Sequence, residues 1–282
     1  MDIGIGLPSV VPAVDRDSLL EWSRRAETRG FSSLGTIDRL AYPNYESLMA
    51  LAAAAAVTER IRLFTDVLLV PWRNNASLLA KQAATLDSLS GGRLTLGVGL
   101  GGRPDDYAAS GVPMTNRGER MDAALARMKE VWAGDEIGPP TIGDSGPELL
   151  VGGSVDASFR RAARFGDGWT MGGGTPDNLK AGIEKTRAAW HEAGREGEPR
   201  FAALCYYGLG EGARETADAE LKHYYAWLGD ELANMIAQSA AVDPDTARGY
   251  RDAFAEAGAS ELVYFPTSTD PGQVDLLADA VL

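Results

Sequence analysis

Apolar and polar positions alternate in blocks along this chain. Eight short apolar runs, at residues 3–7, 33–38, 61–69, 94–100, 148–151, 168–171, 201–208 and 261–265, are spaced evenly. Most are followed by a segment whose apolar residues recur three and four apart. A short run bounded by turn residues reads as a strand buried on both faces, and the 3.6-residue period reads as a helix with one buried stripe. Leu19, Trp22 and Ala26 form such a stripe, stopped by Gly30; Met121, Leu125, Met128 and Trp132 form another, and Val274, Leu277 and Val281 a third. Strand and helix alternating eight times predicts a closed (β/α)8 TIM barrel, for which about 250 residues is the usual length. No low-complexity linker breaks the pattern, so a single domain over residues 1–282 is expected. In this architecture the chemistry sits at the C-terminal ends of the strands.

Three stretches depart from simple alternation. Residues 103–116 are polar and punctuated by glycine and proline, which predicts an extended loop over the barrel mouth. Residues 134–147 carry three prolines and lead into the fifth strand. Between the seventh and eighth strands, helical segments near 217–228 and 246–257 predict an enlarged loop-helix insertion.

Composition narrows the class. The chain is 45% hydrophobic and 24% charged, as in ordinary globular proteins. A net charge of −13 argues against a broad nucleic-acid surface. The single cysteine, Cys205, excludes an internal disulfide framework and suits a reducing compartment. The chain opens on a strand with no basic region ahead of a signal core. Its longest apolar run, 48–57, is mostly alanine and short of the ~20 residues of a membrane span. A cytoplasmic protein without membrane partners is expected.

Candidate chemistry gathers at the strand ends. Gly97-Val98-Gly99-Leu100-Gly101-Gly102 has the spelling G-x-G-x-x-G, but a dinucleotide site needs a helix at the third glycine and an acidic strand end about 20 residues later. Arg103-Pro104-Asp105-Asp106 follows instead, and the segment near 119 is helical, so that reading is rejected. These glycines then either let backbone approach a flat ligand or form a plain turn. Gly152-Gly153-Ser154 precedes a helix, where free N–H groups and the positive dipole end attract an anion; Ser154 as a simple N-cap is the alternative. Gly172-Gly173-Gly174 follows the sixth strand on the same rim. Asp38 and Asp66 lie near strand ends and need hydrogen bonds or arginines if buried, with Arg39, Arg73 and Arg103 available. Trp72, Tyr107 and Trp169 are expected at an aromatic mouth, with core packing as the alternative. Both histidines, His191 and His223, read as surface residues. No serine elbow, reactive cysteine or metal-ligand spacing is present, so a triad and a metal site lack support. A barrel with a phosphate pocket and few protein catalysts points to a bound cofactor. A phosphosugar isomerase or aldolase would need a lysine or a Glu/His pair at strand ends, and no lysine falls there.

Several segments, in order, resemble the bacterial luciferase-like family of flavin- or deazaflavin-dependent oxidoreductases. They are Thr58-Glu59-Arg60-Ile61-Arg62-Leu63, Leu68-Leu69-Val70-Pro71, Ala80-Lys81-Gln82-Ala83-Ala84-Thr85-Leu86-Asp87 and Ser90-Gly91-Gly92-Arg93-Leu94-Thr95-Leu96-Gly97-Val98-Gly99. Arg117-Gly118-Glu119-Arg120-Met121-Asp122, Leu150-Val151-Gly152-Gly153-Ser154 and Ala162-Ala163-Arg164-Phe165-Gly166-Asp167-Gly168-Trp169 continue the series. The resemblance implies the same barrel, with FMN or coenzyme F420 at the C-terminal mouth. It also implies a non-proline cis peptide at Asp66-Val67 behind the ring, and the cofactor phosphate against Gly152, Gly153 and Ser154, with Gly172 and Gly173 beside them. Gly99, Leu100, Gly101 and Arg103 would flank the ribityl chain, Arg103 as a phosphate partner, while Asp38, Arg39 and Asp66 would surround the reacting ring edge. Two departures stand out: many relatives have glycine or alanine where Asp66 stands, and many F420-dependent ones have Asp-His where this chain has Asp38-Arg39. The implied activity is oxygen insertion by reduced flavin, or hydride transfer by F420, on a small hydrophobic organic substrate. A separate flavin or F420 reductase and a homodimer go with it; a non-catalytic flavin- or F420-binding barrel is the alternative.

Overall fold

The computed structural model describes every residue of the chain except Asp144. Its strands are β1 (Asp2–Gly6), β2 (Ser33–Thr36), β3 (Arg62–Leu69), β4 (Leu94–Gly99), β5 (Glu148–Gly152), β6 (Gly168–Met171), β7 (Arg200–Tyr207) and β8 (Glu261–Pro266). Each pairs in parallel with its sequence neighbour and β8 returns to β1, closing the barrel that the apolar runs predict. The period of two along a strand then sorts side chains between two cores. Leu204 and Tyr206 of β7 point inward to join Phe64, Leu150, Val263 and Phe265, while Ala203, Cys205 and Tyr207 join the layer between sheet and helices.

Local signals explain where the helices begin and end. α1 (Arg16–Arg29) starts where the Asp15 carboxylate accepts the Ser18 N–H at 2.8 Å, and stops at Gly30, whose φ of 92° lies in the left-handed region. It buries Leu19, Trp22 and Ala26, as its stripe predicts. α2 (Ser47–Ala55) and α3 (Ala76–Ser90) follow β2 and β3. The stretch expected to be an extended loop after β4 instead contains α4 (Pro104–Ser110). Proline at its start has no N–H to leave unpaired, Asp105 and Asp106 complement the dipole of the first turn, and Gly111 closes it. α5 (Arg117–Ala133), α6 (Asp156–Phe165) and α7 (Pro176–Glu192) complete the outer ring up to β7. Between β7 and β8 lie α8 (Ala213–Tyr225), a 3-10 turn at Ala226–Leu228, α9 (Asp230–Gln238) and α10 (Pro244–Ala257); α11 (Gly272–Val281) ends the chain. Among the described residues no helix is long and apolar enough to cross a membrane.

Candidate active site

The end of β3 shapes the centre of the mouth. Its pairing with β4 shifts register between Thr65 and Leu68, and the Asp66–Val67 peptide bond there is cis. Val67 occupies space that two glycines leave open: a Cβ on Gly99 would lie 2.5 Å from Val67 Cγ2, and one on Gly152 would lie 2.9 Å from its Cγ1. Those glycines therefore seat a protein side chain. Asp66, only 2% exposed, accepts the Thr170 hydroxyl through Oδ1 at 2.8 Å. Its Oδ2 is buried without a partner among the described residues. Burial pushes this carboxyl from 3.8 up to about 7, with Thr170 pulling it back.

Asp38 and Arg39, expected beside the reacting ring, are both tied into the wall. The Asp38 carboxylate accepts the Leu69 N–H at 2.9 Å and two contacts from the Arg73 guanidinium at 3.1 Å. Burial still raises its pKa, against the pull of Arg73. Arg39 donates from Nε to Asp106 at 2.9 Å and from Nη2 to Asp105 at 2.7 Å. The other oxygen of Asp106 accepts the Leu40 and Ala41 amides at 2.9 and 2.7 Å. Asp106 thus pins the chain after β2 to α4, a role that its place beside Pro104 does not announce.

Arg103 is different. It is 8% exposed, yet no carboxylate among the described residues pairs with it. Its guanidinium donates to the Tyr224 carbonyl at 2.7 Å and lies 4.2, 5.3 and 5.1 Å from the ring centres of Tyr224, Tyr225 and Trp227. Cation–π contacts help hold such a charge, but they do not neutralise it.

These groups meet in a cavity of about 220 Å³ at the C-terminal end of the barrel, whose wall includes Asp38, Arg39, Asp66, Val67, Gly101 and Arg103. A second cavity, of about 380 Å³, lies beside it and shares Gly172, Leu204, Tyr206 and Tyr225 with the first. Side by side they fall in the range of small-molecule sites, roughly 300–1,000 Å³. A larger depression of about 570 Å³ opens between α1 and α2, away from the strand ends.

The predicted residues divide accordingly. Gly172 lies on both walls and Gly173 on the second, each with open space where a side chain would stand. Gly99, Leu100 and Gly152 are not among the lining residues of either cavity, and the Leu100 carbonyl accepts the Tyr107 hydroxyl at 2.5 Å. Ser154 is exposed one residue before Val155, the N-cap of α6, which makes no side-chain cap; the N-cap alternative for Ser154 does not hold. Gly153, with φ of 128°, has no room for a side chain, since a Cβ there would fall against the Ser158 hydroxyl, and its carbonyl accepts the Trp169 indole N–H at 2.7 Å.

The expected aromatic mouth is corrected. Trp169 turns outward to pack on Phe159, because the β6 alternation gives the inward place to Thr170. Trp72 and Tyr107 pack with Leu69 and Val112 in a small cluster of their own. The aromatic rings at the mouth are Tyr206 from β7, Tyr224 and Tyr225 from the end of α8, and Trp227 from the 3-10 turn that follows it. The run Tyr224-Tyr225-Ala226-Trp227 was the available signal. Among the described residues no cluster of His, Cys, Asp and Glu could hold a metal ion.

The sequence model of luciferase-like monooxygenases matches residues 1–264. This chain belongs to that family. Membership makes it an enzyme of the FMN- or F420-dependent oxidoreductase kind. Among curated proteins, an uncharacterized protein of Mycobacterium tuberculosis is 36% identical over 61% of this chain and 71% of its own length. An F420-dependent glucose-6-phosphate dehydrogenase of Beutenbergia cavernae is 30% identical over 93% of this chain and 76% of its own. An FMNH2-dependent dimethylsulfone monooxygenase of Pseudomonas putida is 25% identical over 77% and 59%. The crystal structure of a monooxygenase from Streptomyces bottropensis superposes with a TM-score of 0.81 over 99% of this chain and 98% of that one, at 22% identity, and supports the fold.

Proposed function

We propose that the 220 Å³ cavity receives the ring of FMN or F420 against Asp66 and Val67, and that the enzyme uses it in reduced form to oxygenate or reduce a small apolar organic molecule. The observation that carries this reading is Asp66 Oδ2, a buried polar atom of a cavity-wall residue that has no partner among the described residues. A carboxyl in that state is completed by a ligand with a matching donor or acceptor. Arg103 supports the fit, as a buried cation whose counter-ion an anionic cofactor tail would supply. When bound, the cofactor supplies the redox chemistry, as a hydride from F420 or by activating oxygen on FMN.

The chain's own groups then have distinct tasks. Asp66 holds or gives a proton at Oδ2, poised near neutrality, while Thr170 fixes the other oxygen. Val67 backs the ring, seated by Gly99 and Gly152. Gly101 and Gly172 line its sides, and the loop of Gly152, Gly153 and Ser154 offers amides to the tail. Asp38 and Arg39 enter as positioning residues, because Arg73 and Asp106 already engage them. The α8 aromatics keep water from the mouth.

Titration of the purified protein with FMN and with F420, each oxidised and reduced, tests this. Micromolar saturation by one cofactor is expected and decides between them. Failure of both to bind sinks the reading.

A further inference from the structure

We propose that the second cavity, beside glycines 172–174, seats the organic substrate, and that its occupant is a neutral, apolar molecule bearing one hydrogen-bond acceptor such as a ketone oxygen. The word substrate rests on the oxidoreductase reading above; the binding site itself does not depend on a cofactor.

Three observations carry the inference. First, among the described residues no Asp, Glu, Lys, Arg or His lines this cavity, whereas Asp38, Arg39, Asp66 and Arg103 all line its neighbour. An ionised molecule would lose its hydration here with nothing to balance it. Second, Leu204, Leu228, Ile236 and Phe254 give the cavity apolar faces from β7, the 3-10 turn, α9 and α10. Third, Tyr206 and Tyr225 belong to both walls, and their hydroxyls are 2.5 Å apart. Two hydroxyls carry two protons and the bridge between them uses one. Among the described residues neither has a further partner, so one O–H is left to donate. Burial keeps both phenols protonated through neutral pH. An acceptor held at this seam lies against the wall shared with the Asp66 cavity.

The neutral aromatic ketone 6-propionyl-2-dimethylaminonaphthalene provides the test. Its emission moves to the blue in apolar surroundings and back toward the red when its carbonyl accepts a hydrogen bond. With the full chain and no added cofactor, saturable binding with blue-shifted emission is expected. Ile236→Glu, which puts a carboxylate on a half-buried part of the wall, should weaken it about 10-fold or more. Should that variant melt below the assay temperature, Ile236→Trp, which fills the space, should expel the ketone to a similar degree. The double variant Tyr206→Phe/Tyr225→Phe should still bind, with emission further to the blue, while each single variant keeps a donor and emits like the parent. Affinity indifferent to the Ile236 variants overturns the location, and emission indifferent to the double variant overturns the hydroxyl role. A parent protein that binds FMN or F420 but not the ketone overturns this proposal alone. One that binds the ketone as described but neither cofactor overturns the cofactor reading and leaves this cavity assigned.

Discussion

At the N-terminal end of the barrel the buried Glu261 lies between Arg200 and Arg62 and accepts the hydroxyls of Ser32 and Ser33. At the C-terminal end the buried Asp66 has only Thr170 as a partner among the described residues. The contrast extends to the neighbours. Around Glu261, Arg200 also pairs with Glu148, and Arg62 with Asp2 at 2.6 Å, so each acid meets an arginine. Around Asp66, the pairs Asp38–Arg73 and Arg39–Asp106 are complete, but Asp66 and Arg103 remain over, in one cavity and unpaired with each other. Paired charges close one end as structure; the two unmatched groups mark the other as a place for a ligand.

The harshest way to break this comparison is to unbalance the closed end. Glu261→Ala leaves Arg200 with Glu148 alone and strips two serine hydroxyls of their acceptor. Breaking a buried pair from one side costs about 3–5 kcal/mol. In a protein of this size that lowers the melting temperature by on the order of 10 °C, measurable by scanning calorimetry. Affinity for the cofactor, measured on the folded variant, should not change. A melting point within about 2 °C of the parent would mean that this network contributes little to stability.

Asp66→Asn should act in the opposite sense, increasingly as pH rises from about 4 towards 7. The folded carboxyl titrates at about 7 against 3.8 for the free group, so between those values the folded state holds a proton that the unfolded state has lost. Stability contributed by this group is therefore full below pH ~4 and falls by about 1.4 kcal/mol per pH unit until the folded group ionises. Through that window the loss is on the order of 4 kcal/mol. Asparagine removes the titration. Urea unfolding at pH 5 and pH 8 should show the variant gaining on the parent as pH rises. Parallel pH profiles would place the Asp66 pKa near its ordinary value and remove the proton-handling role.

How much of this contrast the sequence carries depends on the range of each contact. Asp66 is legible as the one acid inside an apolar run, and the barrel is legible because eight runs repeat one period. The partners are not. Arg39 meets Asp106 across 67 residues, and Asp38 meets Arg73 across 35, distances that no spacing rule encodes. Local signals compete here: Pro104, Asp105 and Asp106 are helix-start residues, while the glycines around them favour a loop. Facing was harder still. β6 has four residues, too few for a period-two pattern to set its phase, so only barrel closure decides that Thr170 turns in and Trp169 out. The mouth rings come from the segment between β7 and β8, where helical periodicity says nothing about which residues reach the strand ends.

The finest test separates the unmatched arginine from its matched neighbour. Arg39→Gln would leave Asp106, fully buried, without its cation and should destabilise the fold. Arg103→Gln leaves no carboxylate behind. Loss of the ring contacts is offset by relief of a buried charge without a counter-ion, so stability should stay within about 1 kcal/mol of the parent. Ligand binding should report the change instead. FMN affinity, or F420 affinity if that is the cofactor bound, should fall about 10-fold, roughly 1.4 kcal/mol. Riboflavin, or the phosphate-free chromophore of F420, should bind both proteins alike, because only the anionic tail needs the guanidinium. Added salt should narrow the gap, though less than it would for an exposed charge. Equal losses for the charged and uncharged ligands would show that Arg103 shapes the aromatic wall and leaves the anion to the amides of Gly152, Gly153 and Ser154.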